Sequence, residues 1–116
     1  LITNQAGIAK GFYKESDFKK LHIYLKNFLS KNNIYFDDVQ YCPYHPEGKI
    51  KRYKRKSSLR KPGNQMIKNI FKKFLIDKKR SFMIGDKMSD KKCAIKSNLS
   101  FFYAKENFFN QIKKLV

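Results

Sequence analysis

The chain has 116 residues, which allows one domain at most, and its 41% hydrophobic and 16% aromatic content excludes wholesale disorder. No apolar run approaches the roughly 20 residues of a membrane span, and we expect neither a signal peptide nor membrane binding. Two cysteines make no disulfide framework, so the composition predicts a protein of the reducing cytoplasm. Since the chain opens without Met inside a predicted strand, we expect its true N-terminus to be missing.

The formal net charge of +18 predicts attraction of anionic ligands. The cations are mostly lysines spread from Lys10 to Lys114, so bulk charge is weak evidence for a nucleic-acid partner. The densest basic run, 49–61, allows three interpretations: a nucleic-acid patch in which Tyr53 stacks on bases, a solvated loop, or a loop whose cations nearest Pro62 hold a substrate phosphate.

The first residues of the chain, 1–3, are interpreted as the end of a buried strand, and residues 4–11 as a polar loop with two glycines. A Thr hydroxyl and consecutive backbone N–H groups at a strand end can hold a phosphate. An ordinary polar turn explains the same residues and, taken alone, is the simpler interpretation.

Helical periodicity is clearest between Glu15 and about Lys31, where one apolar stripe contains Phe18, Leu21, Leu25, Phe28 and Leu29. We interpret this helix as scaffold and His22, at the edge of the stripe, as a packing or surface residue. A short strand is predicted at 38–41, followed by a loop at 42–48. Cys42 and His45 could form half of a zinc site, but neither Cys nor His occurs again before Cys93.

The second half of the chain alternates helices and strands. Residues 62–64 predict a helix start, and apolar positions 66, 67, 70, 71 and 74 form its stripe. The apolar run 81–84 predicts a fully buried parallel strand, followed by a helix to about residue 97, a strand at 100–103 and a helix at 107–115. The order of elements predicts an α/β fold with a parallel sheet covered on both faces.

Asp86 stands where the strand at 81–84 leaves the sheet, the usual position of ligands in open α/β sheets. Its carboxylate could bind Mg²⁺, and Asp90 would return to the same side if a helix begins near Met88. A turn followed by an acidic residue near a helix N-terminus is an alternative of about equal weight.

Three sequence pieces occur in order: TNQAGIAKG at 3–11, RKPG at 60–63 and GDKMSD at 85–90, with CPYHPEG at 42–48 between the first two. In this combination the chain resembles the haloacid-dehalogenase-like (HAD-like) phosphatases, and within them the D-glycero-D-manno-heptose 1,7-bisphosphate and histidinol-phosphate phosphatases. The resemblance implies a Rossmannoid three-layer fold with a parallel sheet and a phosphomonoester hydrolase with Mg²⁺ as cofactor.

The resemblance also implies residue roles. Thr3 and Lys61 would stabilise the transferring phosphoryl group, and Asp86 would bind Mg²⁺. Asp90 is a second acidic position whose role the resemblance leaves open. A further set would contact the substrate: Asn4, Gln5, Ala6, Arg60 and Lys87.

The sequence departs from the family in two places. The nucleophilic and acid/base aspartates belong to an Asp-x-Asp motif on the first strand, and residues 1–116 contain no such motif. We therefore expect a partial domain that lacks this strand and is, alone, neither active nor a stable fold. Residues 42–61 match the substrate-specificity loop, where many members bind zinc through Cys-x-His and Cys-x-Cys pairs. Only Cys42 remains of those four ligands, so we predict no zinc.

The resulting hypothesis is a cytoplasmic enzyme, monomeric when full length, that hydrolyses the heptose 1,7-bisphosphate to the 1-phosphate for lipopolysaccharide core synthesis. One alternative is a phosphatase acting on histidinol phosphate or another small phosphorylated molecule. An alternative of another class is a basic nucleic-acid-binding module that uses residues 49–61. We favour the phosphatase because the binding module explains only the charge, whereas the phosphatase explains the placement of Thr3, Lys61 and Asp86.

Overall fold

Residues 1–116 are all described by the structure, a computed structural model in which the chain forms two units, Leu1–Arg60 and Lys61–Val116. No helix in either unit has the length and apolar character that a membrane crossing requires. The two units are described separately below.

The first unit is built on two short parallel strands, β1 and β2. Thr3 of β1 lies opposite Tyr41 of β2, so the carboxyl ends of both strands meet at one edge. The unit also has a 3₁₀ turn at Lys51–Tyr53. Its strands and helices are β1 (Ile2–Asn4), α1 (Ala6–Ala9), α2 (Glu15–Ser30) and β2 (Gln40–Cys42).

The sequence predictions for this unit are confirmed for α2 and for a strand near residue 40, and wrong for residues 4–11. Residues 4–11 were expected to be a loop, but Ala6–Ala9 form one helical turn, which is too short to leave a periodic pattern. The apolar stripe of α2 is only partly covered: Phe18 is buried, while Leu21 and Phe28 are 65% and 55% exposed.

A small aromatic core with one carboxylate stabilises the first unit. Tyr53 is buried with Ile8, Ala9 and Phe18, and Tyr41 and Tyr44 pack against this cluster. The Glu15 carboxylate accepts hydrogen bonds from the hydroxyls of Tyr41 and Tyr53, the latter at 2.6 Å. These two bonds, Tyr41 first, hold the pKa of Glu15 below its ordinary value. Glu15 therefore connects α2 with β2 and with the 3₁₀ turn at Lys51–Tyr53.

The second unit contains the other pair of parallel strands, β3 and β4, joined by a helix in the manner of a βαβ crossover. Its elements are α3 (Gln65–Lys73), a 3₁₀ turn (Lys78–Arg80), β3 (Phe82–Gly85), α4 (Met88–Lys96), β4 (Ser100–Tyr103) and α5 (Phe108–Leu115). These bounds confirm the predicted helices and strands.

The burial of β3 differs from the prediction. Residues 81–84 were expected to form a fully buried strand, but these residues and Gly85 are only half-buried. The reason is its pairing: β3 is bonded to β4 along one edge, and no strand pairs with its other edge. The buried side chains of this unit lie mainly on the helices, at Met66, Ile67, Cys93 and Ala94.

We expect Tyr53→Phe to lower the free energy of unfolding of the whole protein by about 1–2 kcal/mol, because it removes a buried hydrogen bond to the Glu15 carboxylate. Urea denaturation monitored by circular dichroism measures this change. Tyr35→Phe is the matched control, since Tyr35 is 70% exposed and should tolerate loss of its hydroxyl. Equal stability of the two variants would contradict this account of Glu15.

Candidate active site

Thr3 and Gln5 lie at the carboxyl end of β1 and are joined by a hydrogen bond. The Nε2 of Gln5 donates to the Oγ1 of Thr3 at 3.0 Å, and the Tyr13 hydroxyl donates to the Oε1 of Gln5 at 2.5 Å. The backbone N–H of Gln5 donates to the carbonyl of Cys42 at 2.8 Å, which fixes this segment to the end of β2. Gln5 was predicted to contact substrate, but both ends of its amide are bonded within the chain.

Arg60 and Cys42 belong to the same unit. Burial raises the pKa of the Cys42 thiol, and the positive charge of Arg60 opposes that rise. The Nη1 of Arg60 is buried without a hydrogen-bond partner. Because a buried guanidinium nitrogen is costly without an acceptor, this atom favours an anionic or carbonyl ligand.

Asp90 organises the residues at the carboxyl end of β3. It is only 4% exposed, and its Oδ1 lies 2.7 Å from the Nζ of Lys61. Its Oδ2 accepts the backbone N–H groups of Asp86 at 3.1 Å and of Lys87 at 3.0 Å. One carboxylate therefore holds the ammonium group of Lys61 and the backbone of the turn that carries Asp86.

The ionisation of Asp90 follows from these contacts. Burial acts to raise its pKa, but the Lys61 ammonium and the two backbone N–H groups outweigh burial and hold the pKa below its ordinary value. Asp90 is consequently ionised in the folded protein. Asp90 packs directly against Gly85, the last residue of β3. A Cβ on Gly85 would lie 2.5 Å from both the Cβ and the Oδ2 of Asp90.

The structure assigns Asp86 and Asp90 different surroundings. Asp86 is exposed at the end of β3, while Asp90 is buried and engaged with Lys61. The exposed carboxylate of Asp86 can accept a cation, whereas the oxygens of Asp90 are already occupied. The sequence indicated two acidic residues on one side of a turn but could not show which one faces outward.

The predicted site residues thus fall into one group in each unit. The first unit holds Thr3, Asn4, Gln5, Ala6 and Arg60, and the second holds Lys61, Asp86, Lys87 and Asp90. Tyr13 was missed by the sequence analysis, because an aromatic residue in a loop carries no signal that it reaches back to Gln5. Glu15 was missed for the same reason, since two distant tyrosines define its role.

The loop at 42–61 is held by local contacts. Tyr44, at one zinc-ligand position of the family, lies under the Arg55 guanidinium at 3.8 Å, and the Nδ1 of His45 accepts the N–H of Glu47 at 3.0 Å. These contacts support the interpretation of a loop stabilised by packing and hydrogen bonds, and the absence of zinc stays a prediction. The suggestion that Tyr53 stacks on bases is wrong, because Tyr53 is only 8% exposed and bonded to Glu15.

Comparison with known proteins identifies proteins that are similar to this chain. The HAD-hydrolase-like family model matches residues 58–111. The chain is 40% identical over 94 residues to D-glycero-beta-D-manno-heptose-1,7-bisphosphate 7-phosphatase of Rhodopseudomonas palustris, covering 81% of this chain and 52% of the relative. It is 42% identical over 90 residues to D-glycero-alpha-D-manno-heptose-1,7-bisphosphate 7-phosphatase of Burkholderia mallei, covering 78% of this chain and 48% of the relative. The chain thus spans about half the length of the curated relatives it matches.

Two solved structures have a similar fold. A protein described as a HAD-like phosphatase from Mesorhizobium loti matches 84% of this chain and 48% of its own, with a TM-score of 0.77 and 29% identity. The D,D-heptose 1,7-bisphosphate phosphatase from B. bronchiseptica, complexed with magnesium and phosphate, matches 98% of this chain and 60% of its own, with a TM-score of 0.73 and 20% identity. The predicted HAD-like α/β fold is therefore confirmed.

Asp90 also predicts a pH dependence of stability. The pKa of Asp90 is lower in the folded than in the unfolded protein, so ionised Asp90 adds to the free energy of unfolding. This added stability is fully present above the ordinary Asp pKa of about 3.9, and it is lost as the pH falls through the folded-state pKa. We expect the difference in unfolding free energy between wild type and Asp90→Asn to be constant above about pH 5 and to shrink below it.

Urea titrations of both proteins between pH 7 and 3 measure that difference. Asp77→Asn is a matched control on the same unit, because Asp77 caps a 3₁₀ turn and has no lysine ion pair. A difference between wild type and Asp90→Asn that stays constant down to pH 3 would show that Asp90 is not stabilised as an anion.

Proposed function

We propose that this chain, whose residues 58–111 match the HAD-hydrolase-like family model, is part of an Mg²⁺-dependent phosphatase that hydrolyses D-glycero-D-manno-heptose 1,7-bisphosphate to the 1-phosphate. The observation that carries the proposal is Asp90, which holds the Lys61 ammonium and the backbone of Asp86 at the end of one strand. The names of the relatives support the substrate and the released 7-phosphate.

The proposed residues supply what a phosphoryl group requires. The Lys61 ammonium, which Asp90 holds at 2.7 Å, is a positive charge of the kind that stabilises phosphoryl oxygens. The resemblance gives the Thr3 hydroxyl the role of a further donor to the phosphoryl group. Arg60, with its unpartnered Nη1, is suited to the remainder of an anionic substrate, because its planar guanidinium binds phosphate or hydroxyl oxygens in pairs.

The residues present also fit a magnesium ion. Mg²⁺ is bound through one or two carboxylates, waters and substrate phosphates, and Asp86 presents an exposed carboxylate at the carboxyl end of β3. When bound, the ion supplies charge neutralisation of the phosphoryl group. Asp90 keeps the turn that carries Asp86 in one conformation through two backbone hydrogen bonds.

The proposal concerns the whole protein. The nucleophilic and acid/base aspartates that the resemblance implies are not among residues 1–116, and the relatives are about twice as long as the matched region. Asn4, Ala6 and Lys87 are proposed as further substrate contacts on the resemblance alone. A cytoplasmic, monomeric enzyme of lipopolysaccharide precursor synthesis remains part of the same proposal.

We expect the whole protein to release phosphate from the heptose bisphosphate only with Mg²⁺, and Asp86→Ala to lower kcat/KM at least about 100-fold, as loss of a metal-borne charge at a phosphoryl group does. A phosphate-release assay measures both. Glu106→Ala is the matched control, since Glu106 is an exposed acidic residue of the same unit and should leave activity unchanged.

Two further outcomes separate the alternatives. Faster hydrolysis of histidinol phosphate than of the heptose bisphosphate would replace the substrate and keep the reaction. The phosphatase proposal would be rejected in favour of the nucleic-acid hypothesis by two results together. The wild type would release no phosphate, and the Asp86→Ala protein would bind RNA or DNA with undiminished, salt-sensitive affinity.

A further inference from the structure

Three side chains of the first unit form a chain of hydrogen bonds that ends at Thr3. Tyr13 donates its O–H to the Oε1 of Gln5 at 2.5 Å, and the Nε2 of Gln5 donates to the Oγ1 of Thr3 at 3.0 Å. Each link uses a donor on the side nearer Tyr13 and an acceptor on the side nearer Thr3. Both hydrogen bonds therefore run in the same direction, from Tyr13 through Gln5 to Thr3.

That direction determines what the Thr3 hydroxyl can do. A hydroxyl has one donor and two acceptor positions, and an acceptor position of Thr3 is filled by the Gln5 amide. The hydroxyl proton of Thr3 therefore points away from Gln5. The Thr3 Oγ1 lies 3.5 Å from the Asn4 carbonyl oxygen, which is at the weak limit of a hydrogen bond. A phosphoryl oxygen would be a better acceptor for that proton.

Tyr13 is needed to give the Gln5 amide this orientation. The amide oxygen and nitrogen of Gln are nearly the same shape, so a half-turn of the amide would place Oε1 against Thr3 and make Thr3 the donor to Gln5. In the flipped orientation the Tyr13 hydroxyl would have to accept from Nε2, but a phenol is a stronger donor and a weaker acceptor than the Thr3 hydroxyl. The 2.5 Å separation from Oε1 is that of an O–H···O bond, and it leaves Nε2 toward Thr3. Removing the tyrosine hydroxyl removes the preference between the two orientations.

The position of Tyr13 is fixed by Gly7. A Cβ built on Gly7 would lie 2.2 Å from the Cε1 and 2.9 Å from the hydroxyl oxygen of Tyr13, so the ring lies directly on the glycine backbone. Gly7 is in α1, the helical turn that follows Gln5. The absence of a side chain at Gly7 thus leaves the space that the Tyr13 ring occupies beside Gln5.

We propose that Tyr13 is a positioning residue for the phosphatase reaction, acting through Gln5 to keep the Thr3 hydroxyl a donor toward the phosphoryl group. This inference rests on the proposed function. It gives Gln5 a role as a link between Tyr13 and Thr3, in place of the substrate contact implied by the resemblance.

A double-mutant cycle in the whole protein tests the proposal. Thr3→Val should lower kcat roughly 10- to 100-fold, as loss of one phosphoryl-directed donor does, and Tyr13→Phe should lower it about 3- to 10-fold with KM unchanged. In the Thr3→Val background Tyr13→Phe should have no further effect, because no hydroxyl remains to orient. In the Thr3→Ser background the effect of Tyr13→Phe should return.

Gly7→Ala provides a second variant that leaves all three side chains intact. It should displace the Tyr13 ring and lower kcat as Tyr13→Phe does, and the two changes together should cost no more than one. Tyr24→Phe is the matched control, since Tyr24 is 69% exposed on α2 and its hydroxyl should not affect kcat. Melting temperatures of all variants separate loss of function from loss of fold.

Several results would overturn the inference. An equal loss from Tyr13→Phe with Thr3 and with Val at position 3, or a rise in KM alone, would mean that Tyr13 contacts substrate or only supports the fold. Unchanged kcat in Tyr13→Phe would exclude the role outright. If the wild type itself released no phosphate, the proposed function would fail first, which is a distinguishable result.

Discussion

The ion pair between Asp90 and Lys61 is the contact on which the second unit's site depends. Its 2.7 Å separation and the burial of both side chains make it costly to break, because either charge alone would be left without a partner in a poorly solvated position. The same carboxylate accepts the backbone N–H groups of Asp86 and Lys87. A single group thus sets the position of a cation, an exposed acid and the turn between strand and helix.

The first unit applies the same principle with uncharged hydrogen-bond donors. Glu15 is fixed by two tyrosine hydroxyls, and Thr3 by an amide whose orientation a third tyrosine determines. In each case the accepting oxygen is held by donors from outside its own helix or strand. Such contacts lose little entropy when a ligand arrives, because the side chains are already ordered.

Local signals in the sequence predicted most of the fold. Helix α2, the strand at β3 and the turn at Gly85 follow from apolar periodicity and from a glycine beside an acidic residue, which are properties of neighbouring residues. The half-burial of β3 could not be predicted this way, because it depends on which edges of the sheet find a partner. Nor could the Gln5–Tyr13 bond or the inward position of Asp90, which depend on contacts between side chains.

The net charge of the chain likewise does not predict which cations are buried. The composition gives +18 for the whole chain and says nothing about which cations matter. The structure separates them by burial: Lys61 is neutralised by Asp90, and Arg60 has a buried nitrogen without an acceptor. Because an exposed lysine is screened by water and salt while a buried cation is not, burial rather than net charge is the ground on which these two are proposed for a phosphorylated ligand. General charge of this kind affects the rate at which an anion is encountered, which salt reduces, rather than the choice of ligand.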